Sequence, residues 1–390
     1  MKPIIRMSDI LKKAKEKQKI AKEKKKEEPL PEPVQQERPP EPVKERPAAE
    51  IKIDEIKRFE TEEQKKEKLE KIEFKISPAI MKRTKAASNE ENLQLYEETL
   101  SLIREILKME IDYELIDIGR IITQIERIVE QSSLSNKNMS MLAFIKDSKN
   151  ENYLLCHSVN VCIYSIEMGL GLGYEKSKLV ELGVSAILHD IGMVKYLHLS
   201  NHPRKLKTRE YKKIKNHPKD GAEILKRIDK NLPEIAIRTA YQHHERINGT
   251  GYPKGLKEES ISEYARIVGL TDVYEALSHP RPYRNEFLPS EVIQQIVANK
   301  NAFGYDLIKI LLERIGVFPI GCLVELSTRE IAQVIKLDCK IPLRPSVRII
   351  YEADGKEPKE IKKLDLIDHS TVHIRKELKK GQLKIPLHYI

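Results

Sequence analysis

From about Ser88 onward, apolar residues recur at helical spacing along most of the chain. Leu93, Tyr96, Leu100, Ile103, Leu107 and Ile111 form one stripe, with Ser88 and the acids after it as an N-cap signal. Ile118, Ile121, Ile122, Ile125, Ile128 and Val129 form a second, which ends at Asn136–Asn138. Met141–Phe144 reads as a short helix. Tyr153–Met168 reads as a nearly all-apolar one that stops at the Gly-rich turn 169–173. Further helices are expected over Leu179–Leu188, Tyr264–Leu277, Ser290–Ala298 and Tyr305–Arg314, with a basic loop at 195–215. After residue 320 the pattern shortens and alternates. Segments 321–326, 333–337 and 346–351 are rich in β-branched residues, and Asp354-Gly355 offers a turn, which predicts a small antiparallel sheet. The fold class that follows is mainly α, a helical bundle with a small C-terminal β extension.

Composition changes the picture at the N-terminus. The chain is 33% charged over 390 residues, and residues 1–28 carry eleven Lys/Arg against five Asp/Glu. Seven prolines fall within 29–47. Residues 1–87 are therefore read as a disordered or helical Lys/Glu/Pro-rich tail and linker, because so little apolar surface cannot offset ordering entropy. An unknown partner or an anionic surface is the open alternative for its basic end. The expected organisation is N-terminal helices at 88–140, a main helical domain at 141–318 and the β-rich extension at 319–390. Segment 90–135 is open to two readings, packing in a homodimer or serving as core.

The net charge of +10 is spread over Lys-rich segments and does not point to nucleic acid. Four cysteines without paired spacing suggest a reducing compartment. No secretory signal and no transmembrane run stand out, so a cytoplasmic chain is the expectation.

The chemistry begins inside the apolar helices. His157 sits in Tyr153–Met168, and His189-Asp190 closes the next helix. His217 follows the basic loop, and His243-His244 runs into a turn containing Gly249, Gly251 and Pro253. Asp272 lies amid Ile267, Val268, Leu270 and Val273, where a carboxylate is costly to bury unless paired or metal-bound. One such histidine alone is more often a hydrogen-bonded core residue. With His198, six candidate histidines and two candidate aspartates stand between 157 and 272, which points inward to a site in a bundle. Two adjacent imidazoles cannot share a helix face, but at a helix end both can turn toward a cluster larger than one ion.

Taken in order, His157, His189-Asp190, His217, His243-His244 and Asp272 resemble the ligand set of the HD superfamily of metal-dependent phosphohydrolases. The run His244-Glu245-Arg246 to Gly251-Tyr252-Pro253, with Arg281-Pro282-Tyr283-Arg284 downstream, resembles its HD-GYP branch, the cyclic di-GMP phosphodiesterases. The resemblance implies an HD-type helical bundle and two divalent metal ions, Fe or Mn. The first ion would be held by His157, His189 and Asp272, the second by His217, His243 and His244, with Asp190 bridging. It implies hydrolysis of cyclic di-GMP to pGpG and/or GMP through a metal-bridging hydroxide, with His189 and Asp190 catalytic. Tyr252, Arg281 and Arg284 would contact substrate.

Two positions depart from the family. Tyr153 stands where members with a third metal carry a Glu, which favours two metals. Met193 stands where a Lys commonly reaches a substrate phosphate, and methionine can neither donate a hydrogen bond nor neutralise charge. Two rival readings stay open: a non-catalytic cyclic-dinucleotide sensor, and a phosphohydrolase acting on another nucleotide.

Overall fold

The computed structural model describes residues 87–379, apart from 109–115, 135–137, 147–152, 201, 203, 229–231, 282 and 339–340. By its contacts the chain divides into Met1–Ile72 and Glu73–Ile390; the described residues belong to the second unit. The basic and proline-rich stretches read as a tail lie outside the described residues, as does Cys339.

The helical part opens with α1 (Ala87–Lys108), α2 (Ile118–Ser133) and α3 (Asn138–Ile145). It continues through α4 (Tyr153–Gly171) and α5 (Lys176–Ile187). A 3-10 turn at Ile191–Tyr196 then leads into α6 (Leu197–Ser200), α7 (Thr208–Ile214), α8 (His217–Ile228) and α9 (Glu234–Gln242). Next come α10 (Glu263–Ser278), α11 (Pro289–Ala298), α12 (Lys300–Phe303) and α13 (Tyr305–Arg314).

The axis of the bundle is α4. Tyr153 through Gly169 are all buried, and α1, α2, α3, α5, α10 and α13 pack around it. A helix enclosed on every side has no face to keep polar, which is why its sequence is apolar all round. By length and composition α4 could cross a membrane, yet 89% of its apolar window is buried inside the body. The α2 stripe of Ile118, Ile121, Ile125, Ile128 and Val129 is buried, and the Asp117 side chain accepts from Arg120 N at the N-terminus. Leu95, Tyr96, Leu100, Ile103 and Ile106 of α1 join the same core. Packing within the chain thus buries most of the described apolar positions of α1 and α2.

Three local expectations need correction. Ser88 already lies within the first described helix and is not its cap. Helix α4 runs on to Gly171, inside the expected Gly-rich turn. The basic "loop" 195–215 contains the end of the 3-10 turn, α6 and α7; its charges mark exposed faces of short helices.

Among the described residues five strands follow: β1 (Leu323–Leu326), β2 (Ile331–Lys336), β3 (Ser346–Tyr351), β4 (Lys363–Asp365) and β5 (Ile374–Leu378). They form one antiparallel sheet in the order β4-β3-β2-β1-β5, with Val324 opposite Ala332 and Val334 opposite Val347. Val324, Leu326, Ala332, Val334, Val347 and Ile349 make its core, which Phe144 of α3 joins from the helical side. Glu377 on β5 accepts from the backbone N–H and the hydroxyl of Ser290, tying the sheet to the first turn of α11.

Two glycines let the elements that carry the histidines approach closely. A Cβ on Gly192, in the turn after Asp190, would lie 2.1 Å from the carbonyl oxygen of His217. One on Gly269 of α10 would lie 2.2 Å from the carbonyl oxygen of His243. Neither backbone contact could yield to a side chain.

Candidate metal centre

Five imidazoles and two carboxylates converge from separate elements. His157 comes from the interior of α4 and Asp272 from α10. His189 and Asp190 follow the end of α5, His217 opens α8, His243 is the C-cap of α9, and His244 is the next residue. Their ligand-type atoms fall into two groups, each within 4.8 Å: Asp190, His217, His243 and His244; and His157, His189 and Asp272. The groups meet at Asp190, whose Oδ1 is 3.0 Å from His217 Nε2 while its Oδ2 is 3.7 Å from His157 Nε2.

The orientation of the rings has a local cause. The last turn of a helix leaves carbonyls without intrahelical partners. His189 Nδ1–H donates to Ala186 O at 2.7 Å, His217 Nδ1–H to Ile214 O at 2.8 Å, and His243 Nδ1–H to Ala240 O at 2.9 Å. Each carbonyl belongs to the residue three positions back, at or near a helix end. Since a carbonyl only accepts, Nδ1 must carry the hydrogen, and Nε2 of each neutral ring presents a lone pair to the cluster.

Two of those lone pairs, on His217 and His243, face one another, and His244 approaches the same nitrogen of His217. His217 Nε2 is 3.2 Å from His243 Nε2 and 3.1 Å from His244 Nε2. His189 Nε2 and Asp190 Oδ1 are buried without a hydrogen bond, since Asp190 Oδ1 is near His217 Nε2 without the alignment a bond requires. Leaving a buried polar atom unsatisfied costs about 1–3 kcal/mol. A cation among these atoms removes that cost for several at once, so the donor set fits a metal ion. A proton on His217 is the other way to relieve the contact; burial lowers that imidazole's pKa, but the Asp190 carboxylate outweighs burial and raises it. Either way the cluster attracts positive charge.

The titration shifts carry the same meaning. Burial holds His189 down to about 4, so it is a neutral donor at pH 7. Burial works against the charged form of Asp190 too, yet the His189 and His217 imidazoles hold its carboxyl well below the usual range. Asp272 is likewise held low, against burial, by its bond to His157. His157 moves the other way: the Glu275 carboxylate overcomes burial and lifts it to about 10.

Glu275 is the residue that sequence reasoning missed. It bonds His157 Nδ1 through Oε2, accepts from Asn160 Nδ2 at 3.2 Å through Oε1, and Asn160 Oδ1 in turn accepts from Tyr96 OH at 2.7 Å. The whole chain of contacts is buried. A carboxylate on the far nitrogen of a ligating histidine fixes its ring and raises its basicity. The signal was present: Glu275 lies one turn after Asp272 on the same apolar helix.

Above the cluster lies a cleft of about 450 Å³. His157, Asp190, His217, His244 and Asp272 reach its floor, whereas His189 and His243 are wholly buried beneath. Tyr153, Met193, Tyr211, Tyr252, Arg281 and Arg284 line the walls. Tyr252 stacks on His244, ring centroids 4.5 Å apart. Its loop is held by Tyr252 N donating to His244 O at 3.2 Å, and by Glu245 accepting from the N–H groups of Lys254 and Leu256 at 2.7 and 2.8 Å. The Arg281 guanidinium lies 4.5 Å from the Tyr153 ring centroid and 3.9 Å from Glu275. Arg284 lines the cleft, but its nitrogens donate to the carbonyls of Ala276, Leu277 and Asn285, so its head caps the end of α10. Lys195 donates to Asp220 at 2.6 Å, and His198 is exposed away from the cluster.

Fold and cluster together resemble those of HD domains, and the relatives point to the HD-GYP type. Residues 136–307 match the family described as HD domain, and residues 323–385 match a KOW domain associated with the HD domain. Among its relatives is the cyclic di-GMP phosphodiesterase PA4108 of Pseudomonas aeruginosa, 30% identical over 232 residues, 59% of this chain and 55% of that protein. Cyclic di-GMP phosphodiesterase PdeB of Borreliella burgdorferi is 29% identical over 238 residues, 60% of this chain and 62% of that one. The 3'3'-cGAMP-specific phosphodiesterase 2 of Vibrio cholerae is 30% identical over 159 residues, 40% of this chain and 30% of that protein. The chain thus spans less than two thirds of the length of each of these relatives.

Proposed function

We propose that this protein is a metal-dependent phosphodiesterase that opens cyclic di-GMP to pGpG and/or GMP in bacterial second-messenger signalling. The observation that carries the reading is the convergence of donor atoms beneath the cleft: His217 Nε2 lies 3.2 Å from His243 Nε2 and 3.1 Å from His244 Nε2, beside the orphaned His189 Nε2 and Asp190 Oδ1. The names of the relatives support the substrate class.

Two divalent cations fit, Fe or Mn by the mixed imidazole and carboxylate donors. His157, His189 and Asp272 would hold one, His217, His243 and His244 the other, and Asp190 would be shared. Tyr153 supports two ions over three, since its ring is covered by Arg281 and offers no carboxylate. Bound there, the cations supply Lewis-acid charge to a phosphodiester and lower the pKa of a water toward neutrality.

The protein's own groups do the rest. Helix-end carbonyls fix three imidazole rings with Nε2 turned toward the cluster, and Glu275 holds His157. Asp190 joins both donor groups. Tyr252 stays a phenol, because burial pushes its pKa up, and it therefore presents a donor to substrate. Arg281 offers the cleft a guanidinium suited to phosphate or guanine. Arg284 acts through the backbone turn that carries Arg281.

A non-catalytic sensor is the second reading, favoured by Met193, which brings an apolar side chain to the cleft wall. Incubation with cyclic di-GMP and Mn²⁺ or Fe²⁺ separates the two: linear product is expected, and tight binding without product would sink the enzyme reading. Turnover compared between cyclic di-GMP and 3'3'-cGAMP tests whether another cyclic dinucleotide is the preferred substrate.

A further inference from the structure

Lys215 follows α7 as its C-cap and stands two residues before His217. Its Nζ lies 5.3 Å from the Tyr211 ring centroid and 4.7 Å from that of Tyr252. Both rings line the cleft. Tyr252 in turn stacks on His244 at the floor, so this ammonium is two short ring steps from the cluster. Among the described residues it has no hydrogen bond and no ion pair. The neighbouring cations are otherwise engaged: Arg246 donates to the carbonyls of His243 and Glu245, Arg284 to the end of α10, and Lys195 to Asp220. Two aromatic faces hold an ammonium in place while leaving its three N–H donors unspent.

We infer that Lys215, held by Tyr211 and Tyr252, binds the second, non-reacting phosphate of the ligand while the floor takes the reacting one. This deepens the proposed function and rests on it. A cyclic dinucleotide carries both phosphates in one macrocycle, so a cation at the rim, set apart from the cluster, selects it over an ester with a single phosphate. Lys215 is a specificity-determining contact. The plainer role for a lysine at a helix C-terminus is to meet the helix dipole, and that role predicts no discrimination between ligands.

The test uses the full chain loaded with Mn²⁺ and two substrates, cyclic di-GMP and bis(p-nitrophenyl) phosphate. For Lys215→Ala, KM for cyclic di-GMP should rise about tenfold, the worth of one charge-assisted bond. Its kcat, and the kinetics of the single-phosphate ester, should stay near wild type. Lys215→Arg should restore most of the loss. Equilibrium dialysis of pGpG, which reads binding without turnover, should show the same drop in affinity. Unchanged KM and pGpG affinity in Lys215→Ala, or an equal loss on both esters, overturns the role of Lys215 and leaves the phosphodiesterase reading standing. A wild-type chain that neither binds nor cleaves cyclic di-GMP overturns both.

Discussion

The floor and the walls of the cleft are built by different rules. At the cluster four of the five rings are fixed by a backbone carbonyl or a buried carboxylate, and the donor atoms point at one another. On the walls, Tyr252, Tyr211, Lys215 and Arg281 are held by ring stacking and cation–π contacts, with donors left over. The difference separates two tasks. A metal cluster needs rigid, desolvated donors whose mutual repulsion is relieved by a cation. A ligand rim needs charges whose partners arrive with the ligand. Substitutions in the floor should therefore abolish, and substitutions in the wall should grade.

The strongest break of this comparison comes from the shared carboxylate. Asp190→Ala or His189→Ala should take metal content of the purified protein toward zero and turnover to background, as read by elemental analysis and product chromatography. Retained metal with full turnover in either variant would remove the cluster from the mechanism. Next is Glu275→Gln, which keeps shape but loses the charge behind His157. Metal affinity should fall roughly 10–100-fold, the usual cost of losing such a partner, in a competition titration with a chelator. A smaller effect is expected on the wall. Arg281→Ala should raise KM for cyclic di-GMP about tenfold with metal content unchanged. Met193→Lys should lower that KM several-fold if a phosphate passes this wall, and a rise would show that the apolar side chain is a fitted contact. Smallest for chemistry is the sheet. Val347→Ala should cost about 1–3 kcal/mol of stability by thermal melting and leave kcat/KM at low temperature as in the wild type.

The sheet offers a second contrast. Its apolar core was legible because short β-branched runs read as strands; burial alternates in β3, whereas β1 and β2 each bury consecutive residues. The helical bundle was legible from its apolar spacing, and so was the inward aim of His157 and Asp272, since a polar residue on an apolar helix must face something polar. Less legible were features that depend on how helices cross. His157 and Glu275 stand 118 residues apart, so no window along the chain contains their bond. Arg284 looked like a substrate contact by residue type, but the end of α10 takes its nitrogens. The basic segment 195–215 looked like a loop because its helices are too short for a periodic stripe.

By itself, then, the sequence determined the class of fold, the donor types, their order and their position on or at the ends of helices, because hydrophobic period and residue chemistry are local properties. The tertiary structure decided which nitrogen of each imidazole faces the cluster, that Asp190 stands between two donor groups, and that Lys215 is left with free donors at the rim. Those outcomes depend on close backbone approach, as at Gly192 and Gly269, and on which carbonyls and carboxylates arrive from elsewhere in the chain to take a hydrogen bond.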